Sequence, residues 1–462
     1  MPSRQDQLHS YQYSLQRVVA ALVTHDPDPQ RSPLRRAGMT ALVSLLIASL
    51  LVVAAAIYGL LTGNSSTNPR DPNVVFQEKG TGARFVYLES DGKLHPVLNF
   101  TSGLLLASAQ TPSLKSVSSE KLAAVPLGDP LGIPDAPDSL PGKGALLTDR
   151  WSVCTDNQGV NSTPRSTLLA GDRLTDGTVL ARAGRGLLVR DPNGRNSLVV
   201  GNRRFAIPIG RNDPTLTALN YSSSRPWPVS IAWLNAVPAG PDLVPPAIPG
   251  RGRESVAGNF EVGQLVTDGQ QVAVILADGK AALTDMQARL MLTVSNARPI
   301  DIGNDFIGLP TSQTRISDAG DAQGLPPVVP QLLDGAPTRA CITLPVDKAG
   351  DGIRVDPTIP AGEAVAGVTG GATGGVKADL VHVARGRGAV TVSAASPSAP
   401  SGSGTVSVVT DTGLQYPLAG RELLAKLGYG NVKLQQIPSE LISLMPAGPP
   451  LDPARARQTA PQ

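Results

Sequence analysis

Residues 41–61, ALVSLLIASLLVVAAAIYGLL, constrain everything else in this chain. The stretch holds no charged side chain, and at about 1.5 Å rise per residue a helix through it is roughly 30 Å long, the thickness of a bilayer's hydrocarbon core. It is predicted to be a transmembrane helix. A secretory signal peptide has a shorter apolar region closed by a small-residue cleavage site, whereas this one runs into Tyr58, Gly59, Leu60 and Leu61. A helix buried in a soluble core would show a polar face, and this one shows none. Arg31, Arg35 and Arg36 precede the span, while the first charge beyond it is Arg70, offset at once by Asp71. The positive-inside rule therefore puts residues 1–40 in the cytoplasm and everything after Leu61 on the far side.

The cytoplasmic piece carries Leu8, Tyr11, Leu15, Val18, Val19 and Leu22 at the spacing of one helix face. An amphipathic helix is expected, ended by the DPDPQ stretch because Asp-Pro pairs break helices. Its stripe either lies on the membrane or docks a cytoplasmic partner.

Beyond a polar linker at residues 62–73 the composition changes: the chain's 48 Gly and 42 Pro make about a fifth of it, against about an eighth on average, and aromatics are only 3%. Many turns and several small hydrophobic units follow from that. Four segments share one pattern, an apolar run, a turn dipeptide and a second apolar run, at Asp91-Gly92, Asn193-Gly194, Asp278-Gly279 and Thr412-Gly413. Each is predicted to be a β-hairpin, since Asn-Gly and Asp-Gly turns supply the positive φ a tight hairpin needs. Their irregular spacing excludes a solenoid or propeller. In the last copy a helix over residues 421–427 follows, closed by Gly428. Residues 392–405 are expected to be a low-complexity, disordered loop.

Pro-rich pieces at 127–143, 225–250 and 324–345 separate the hairpins, and Trp151, Trp227, Trp233, Cys154 and Cys341 lie within or just after them. A central domain assembled from separated segments is expected, with the hairpin modules as excursions from it. Cys154 and Cys341 are the only cysteines. On a non-cytoplasmic face thiols oxidise, so a disulfide between them is predicted, the competing reading being two unrelated buried thiols. In the chain-entropy model such a bridge contributes up to about 5 kcal/mol.

Conventional catalysis finds little support. The 40 basic and 37 acidic residues are interspersed, with no nucleic-acid footprint. Neither a metal site nor a cofactor is expected, because the four histidines are scattered. The Gly-rich segment VTGGATGGVKAD (368–379) offers Lys377 as a weak nucleotide candidate, but it lacks the GxxxxGK-Ser/Thr spacing of a phosphate loop.

These residues resemble the EccB family of type VII secretion systems. The resemblance rests on Gln7, Tyr11, Gln12, Arg17, Val18, Val19, Ala21 and Leu22, on Ser32-Pro33 and Arg35-Arg36, on RFVYLESDGKLHPVLNFTSGLLLAS, on the cysteine contexts, and on VTDTGLQYPL, LGYG and MPAGPPLDPARA. It spans nearly the whole chain. It implies a single-pass inner-membrane subunit of an actinobacterial secretion complex, with its bulk periplasmic. Implied partners are a cytoplasmic ATPase subunit, a polytopic channel subunit, a mycosin protease and further copies of itself. An ATPase activity is attributed to the family, yet this chain has no Walker A motif. A membrane-anchored cell-wall binding protein is the alternative of another class.

The expected architecture is thus a single-pass membrane protein whose external α+β part is β-rich, with four repeat modules around a discontinuous, disulfide-stapled central domain. The modules are placed at 74–120, 166–220, 254–315 and 366–435, the central segments at 121–165, 221–253 and 316–365, and an extended Pro-rich tail at 436–462.

Overall fold

The computed structural model describes residues 3–25, 33–62, 67–148, 150–157, 163–295, 298–316, 324–345, 352–359, 365–366, 375–395, 400 and 403–459. The chain forms two compact units, residues 1–96 with 113–128, and residues 97–112 with 129–462. The N-terminal helix α1 (Arg4–Thr24) starts at a capping box, in which Ser3 and Asp6 satisfy each other's backbone amides, and ends at His25 in the left-handed region. The second helix, α2 (Pro33–Thr62), opens on a proline, which fits the first turn where no amide partner exists. Its stretch Gly38–Gly59 is long and apolar enough to cross a membrane, and none of it is buried by the protein. Within it Ser44 and Ser49 turn their hydroxyls back onto the carbonyls of Ala41 and Leu46, so neither leaves an unpaired donor in an apolar setting.

A first sheet follows, of β1 (Val74–Glu78), β2 (Arg84–Leu88), β3 (Lys93–Pro96) and β4 (Ser113–Val117), ordered β3-β2-β1-β4. The pairs β1-β2 and β2-β3 are antiparallel, and β4 returns parallel to β1. Helix α3 (Phe100–Leu106) is inserted between β3 and β4, and α4 (Ser119–Ala123) follows β4. The chain then contributes β5 (Trp151–Asp156), β6 (Arg165–Ala170) and β7 (Thr178–Val179) to a different sheet, and a short α5 (Leu180–Ala183) leads out of it.

The same order, third-second-first-fourth with a parallel fourth strand, recurs three times. The second sheet holds β8 (Arg185–Arg190), β9 (Asn196–Val200), β10 (Arg203–Ala206) and, after α6 (Asn212–Ala218), β11 (Trp227–Pro228), with α7 (Ile231–Ala236) behind it. The third holds β12 (Leu265–Thr267), β13 (Val272–Leu276), β14 (Gly279–Ala282) and, after α8 (Asp285–Ser295), β15 (Ile300–Asp301), with α9 (Asp305–Gly308). A short β16 (Gln331–Leu332) joins the start of β8. Next come β17 (Arg339–Leu344), β18 (Gly352–Val355), β19 (Val365–Ala366) and β20 (Leu380–Val383). The fourth sheet holds β21 (Ala389–Ala394), β22 (Val406–Val409), β23 (Gln415–Pro417) and, after α10 (Leu423–Lys426), β24 (Gln435–Pro438), with α11 (Ser439–Ser443). A last helix, α12 (Pro453–Ala456), packs against α3.

The remaining strands form a seven-stranded sheet, β19-β20-β6-β5-β17-β18-β7, gathered from segments far apart in sequence. Trp151, Trp227 and Trp233 meet in a single large core with Val153, Leu168 and Ile342 from this sheet and with Leu441 of α11 and Met445 just after it. Three bulky indoles fill the seam because few other aromatics are available to do so.

Several expectations need correction. The Asn193-Gly194 turn joins the first and second strands of its sheet, whereas the other three dipeptides join the second and third. The true counterpart in the second sheet is Gly201-Asn202, with Gly201 at φ 60°, between β9 and β10. Residues 225–250 contribute no strand to the central sheet, since β11 pairs with β8, although α7 packs on β5 and β17 of that sheet. Conversely β6 and β7, expected in the second module, and β20, expected in the fourth, belong to the seven-stranded sheet. The tail from 436 is not extended but supplies most of β24, α11 and α12. Of the low-complexity stretch, residues 392–394 lie in β21, while 396–399 and 401–402 fall outside the described residues.

Candidate functional site: the disulfide seam, the straps and the apolar helix

The center of the seven-stranded sheet is the pairing of β5 with β17, in which Cys154 stands directly opposite Cys341. The two are bonded, fully buried, and packed with Leu169. On one side of the bridge Ser152 and Thr343 share a hydroxyl hydrogen bond of 2.8 Å, and on the other the Arg339 guanidinium donates to the Asp156 carboxylate. Burial pushes the Asp156 carboxyl above its ordinary range, with Arg339 pulling the other way. At the end of β6, Asp172 faces His382 of β20 at 3.4 Å. Burial raises its carboxyl too, opposed by His382 and Arg387.

The third strand of each four-stranded order is an edge, and in each a later segment straps it. In the first sheet the Leu94 amide donates to the Pro126 carbonyl at 2.8 Å, and the Gly128 amide to the Leu94 carbonyl at 2.9 Å. Arg204 is held in the same way by Pro238 and Gly240, Lys280 by Pro310 and Ser312, and Gln415 by Pro446 and Gly448. Proline tolerates this edge position because it has no amide to lose. The residue after each strapped one is a ring in three cases. A Cβ on Gly128 would lie 2.3 Å from His95, on Gly240 2.4 Å from Phe205, and on Gly448 2.3 Å from Tyr416. In the third sheet Ala281 stands at the ring position and Ser312 at the glycine position. These straps read VPLGDPL, VPAGPDL, LPTSQTRI and MPAGPPL, a recurrence visible in the sequence but hidden there among its many prolines.

The turn residues do more than turn. Asp91 accepts from the Lys93 amide and contacts the His95 ring at 2.9 Å. Asp278 accepts from the Ser312 hydroxyl at 2.6 Å and the Gln313 amide, which together hold its carboxyl below the usual range and tie the hairpin to its strap. Thr412 shares a hydroxyl bond with Thr410, and Gly92, Gly194, Gly279 and Gly413 all have positive φ.

Lys377 is committed elsewhere: its ammonium donates to the carbonyls of Ser443 at 2.8 Å and Met445 at 3.0 Å, just past α11, where a cation suits the helix dipole. Among the described residues no group of His, Cys, Asp and Glu could hold a metal ion. On α1 the predicted stripe stays uncovered at Leu8, Tyr11, Leu15, Val18 and Leu22, Val19 is half-buried, and Ala20 is buried. Arg31 lies outside the described residues; Arg35 and Arg36 are in the first turn of α2.

Among the described residues one helix is long and apolar enough to cross a membrane, and it precedes a β-rich part whose central sheet is closed by a single buried disulfide, the layout of a single-span membrane protein. The chain belongs to the EccB family, described as "Type VII secretion system ESX-1, transport TM domain B", which matches residues 1–461. It is 28% identical over 479 residues to "ESX-3 secretion system ATPase EccB3" of Mycolicibacterium smegmatis, covering 96% of this chain and 88% of that one. Its fold is shared with a chain of an intact ESX-5 inner membrane complex, at a TM-score of 0.70 and 22% identity, over 100% of this chain and 96% of that one. It is also shared with the EccB3 dimer from the ESX-3 core complex, at 0.63 and 25% identity, over 84% and 100%.

Proposed function

We propose that this chain is a structural subunit of a type VII secretion membrane complex in the plasma membrane, working as a scaffold rather than an enzyme. The observation that carries this is the pairing of an unburied spanning helix with a disulfide-closed β-rich part in a member of the EccB family. Its N-terminus is cytoplasmic, by Arg31, Arg35 and Arg36, and its bulk is periplasmic, where the Cys154–Cys341 bond is stable. The shared strand order of the four sheets supports reading them as copies of one module. The exposed stripe of α1 docks a cytoplasmic or membrane partner. The relatives solved within an inner membrane complex and as a dimer favor assembly with other subunits and with further copies of itself; the family resemblance adds a cytoplasmic ATPase subunit, a polytopic channel subunit and a mycosin protease as the partners to look for.

Detergent extraction followed by mass and composition analysis tests this. A multi-subunit particle is expected; a monodisperse monomer without partners overturns the reading. The word ATPase in relatives' names is tested separately. Purified full chain should hydrolyse ATP no faster than a Lys377→Ala variant, and activity lost with Lys377 would reverse the scaffold reading.

A further inference from the structure

We infer that a cleft at one edge of β8 is a binding site for the C-terminal carboxylate of an extended polypeptide. Strand β9 covers the opposite edge of β8 from Gly186 to Arg190. The edge in question is shared by two short strands: β16 sets Leu332 opposite Gly186, and β11 sets Trp227 opposite Val189. Where one ends and the other begins lies a cleft of about 270 Å³, whose lining includes Leu187, Leu188, Ser224, Arg225, Leu333 and Ala336.

The leucines offer this cleft their main chain. Leu187 is buried in the core that holds the tryptophans, Leu333 packs on that core, and Leu188 is buried with Phe205 and Leu290. The Leu333 amide donates to the Gly186 carbonyl and the Val229 amide to the Arg190 carbonyl, both on this edge. Main-chain groups alternate between the two edges of such a strand, so Leu188 turns its own the same way. Among the described residues its amide has no acceptor, although Leu188 is buried, and an orphaned N–H of that kind is rare. Arg225 is the second observation. It is exposed, and among the described residues its guanidinium has no partner. No acidic side chain lines the cleft, and Asp334, beside Leu333, is 3.6 Å from Arg185 instead. Both lips are tied down, by the Tyr221 hydroxyl donating to the Pro330 carbonyl and by Arg185 donating to the Leu332 carbonyl at 3.1 Å. The donors are therefore held in place before anything binds.

An amide, a guanidinium and the Ser224 hydroxyl, with no acid among them, suit a negatively charged acceptor. An acceptor on the Leu188 amide takes the place of a strand carbonyl. Yet β16 and β11 close the slot in both directions along β8, so a chain can enter it but cannot run through. A chain end meets both conditions, with one carboxylate oxygen on the Leu188 amide and the other on Arg225. The volume lies just under the roughly 300 Å³ at which small-molecule pockets begin, room for little more than a terminal residue.

The test titrates the full chain in detergent with N-terminally labeled tetrapeptides, random at their last positions and ending in a free carboxylate, and with the same pool amidated, read by fluorescence anisotropy. The acids should bind about tenfold more tightly than the amides, the worth of one charge-assisted hydrogen bond. Arg225→Gln should remove that preference without moving the thermal midpoint, because the guanidinium has no partner to lose. Ala336→Phe should abolish binding of the acids by filling the cleft. Acids and amides bound equally, or a preference that survives in Arg225→Gln, overturns the site. Acetate that displaces the peptides at the peptides' own binding concentration would assign the cleft to small carboxylates and overturn the polypeptide end as its ligand. The readout needs no partner subunit, so each of these failures leaves the secretion-complex reading to its own test.

Discussion

Arg339 shows how closely the seam around the disulfide is balanced. Its guanidinium meets a carboxylate, Asp156, that burial has already made reluctant to ionise. Removing one partner of such a pair leaves an uncompensated charge, a larger penalty than the pair's net worth. Arg339→Met should therefore destabilise the protein by about 2 kcal/mol at neutral pH, below the fully buried range because both side chains retain some exposure. The sign of its pH dependence follows from the raised pKa. A folded carboxyl that holds its proton more tightly than the unfolded one gains stability as pH falls through its folded pKa, and loses that gain as pH rises. The deficit of Arg339→Met relative to wild type should then shrink between pH 7.5 and pH 4.5 in denaturant titrations. A deficit equal at both pH values would mean the arginine acts by packing alone.

At the scale of the element, the strap makes each sheet edge safe and each strap glycine irreplaceable. A methyl on Gly448 would sit 2.3 Å from the Tyr416 ring, well inside contact distance. Overpacking of this kind costs about 2 kcal/mol, and Gly448→Ala should lose that much in chemical denaturation. Tyr416→Ala combined with Gly448→Ala should cost less than the two single losses added, because the third sheet already pairs the small Ala281 with Ser312. Strict additivity would show that ring and glycine are not coupled. The sequence revealed the hairpins at Asp91, Asp278 and Thr412 because a turn and two adjacent strands are local. It did not reveal the parallel fourth strands, which pair with partners tens of residues earlier and are as short as Trp227–Pro228 or Ile300–Asp301. Strands of two residues have no alternation to read, so Trp227–Pro228 reads as part of a Pro-rich central segment and Ile300–Asp301 leaves no mark within its module. The second sheet misled for a related reason: its Asn193-Gly194 signal is genuine but belongs to the neighboring hairpin, while the matching turn reads Gly-Asn.

For the whole molecule, the disulfide and the membrane helix divide the work of holding and anchoring. Cys154 and Cys341 are 187 residues apart, yet their strands are bonded on both sides by a continuous ladder, so the bridge locks a register that the sheet already specifies. Among the described residues nothing in the chain buries the apolar stretch Gly38–Gly59 of α2. In lipid no hydrophobic force drives helices together, and association depends on how closely their backbones can approach. Ala54, Ala55, Ala56 and Gly59 are all exposed in the C-terminal half of α2, and a Cβ on Gly59 would meet nothing within 4 Å. That small-residue surface is either idle or the place where another helix packs. Ala55→Phe separates the two, since a phenylalanine is as compatible with the bilayer as an alanine but holds a neighboring helix away. Membrane fractionation should give unchanged amounts of the variant, while the yield of intact complex after detergent extraction should fall several-fold. An unchanged yield would reduce α2 to a plain anchor and leave assembly to the parts on either side of the membrane.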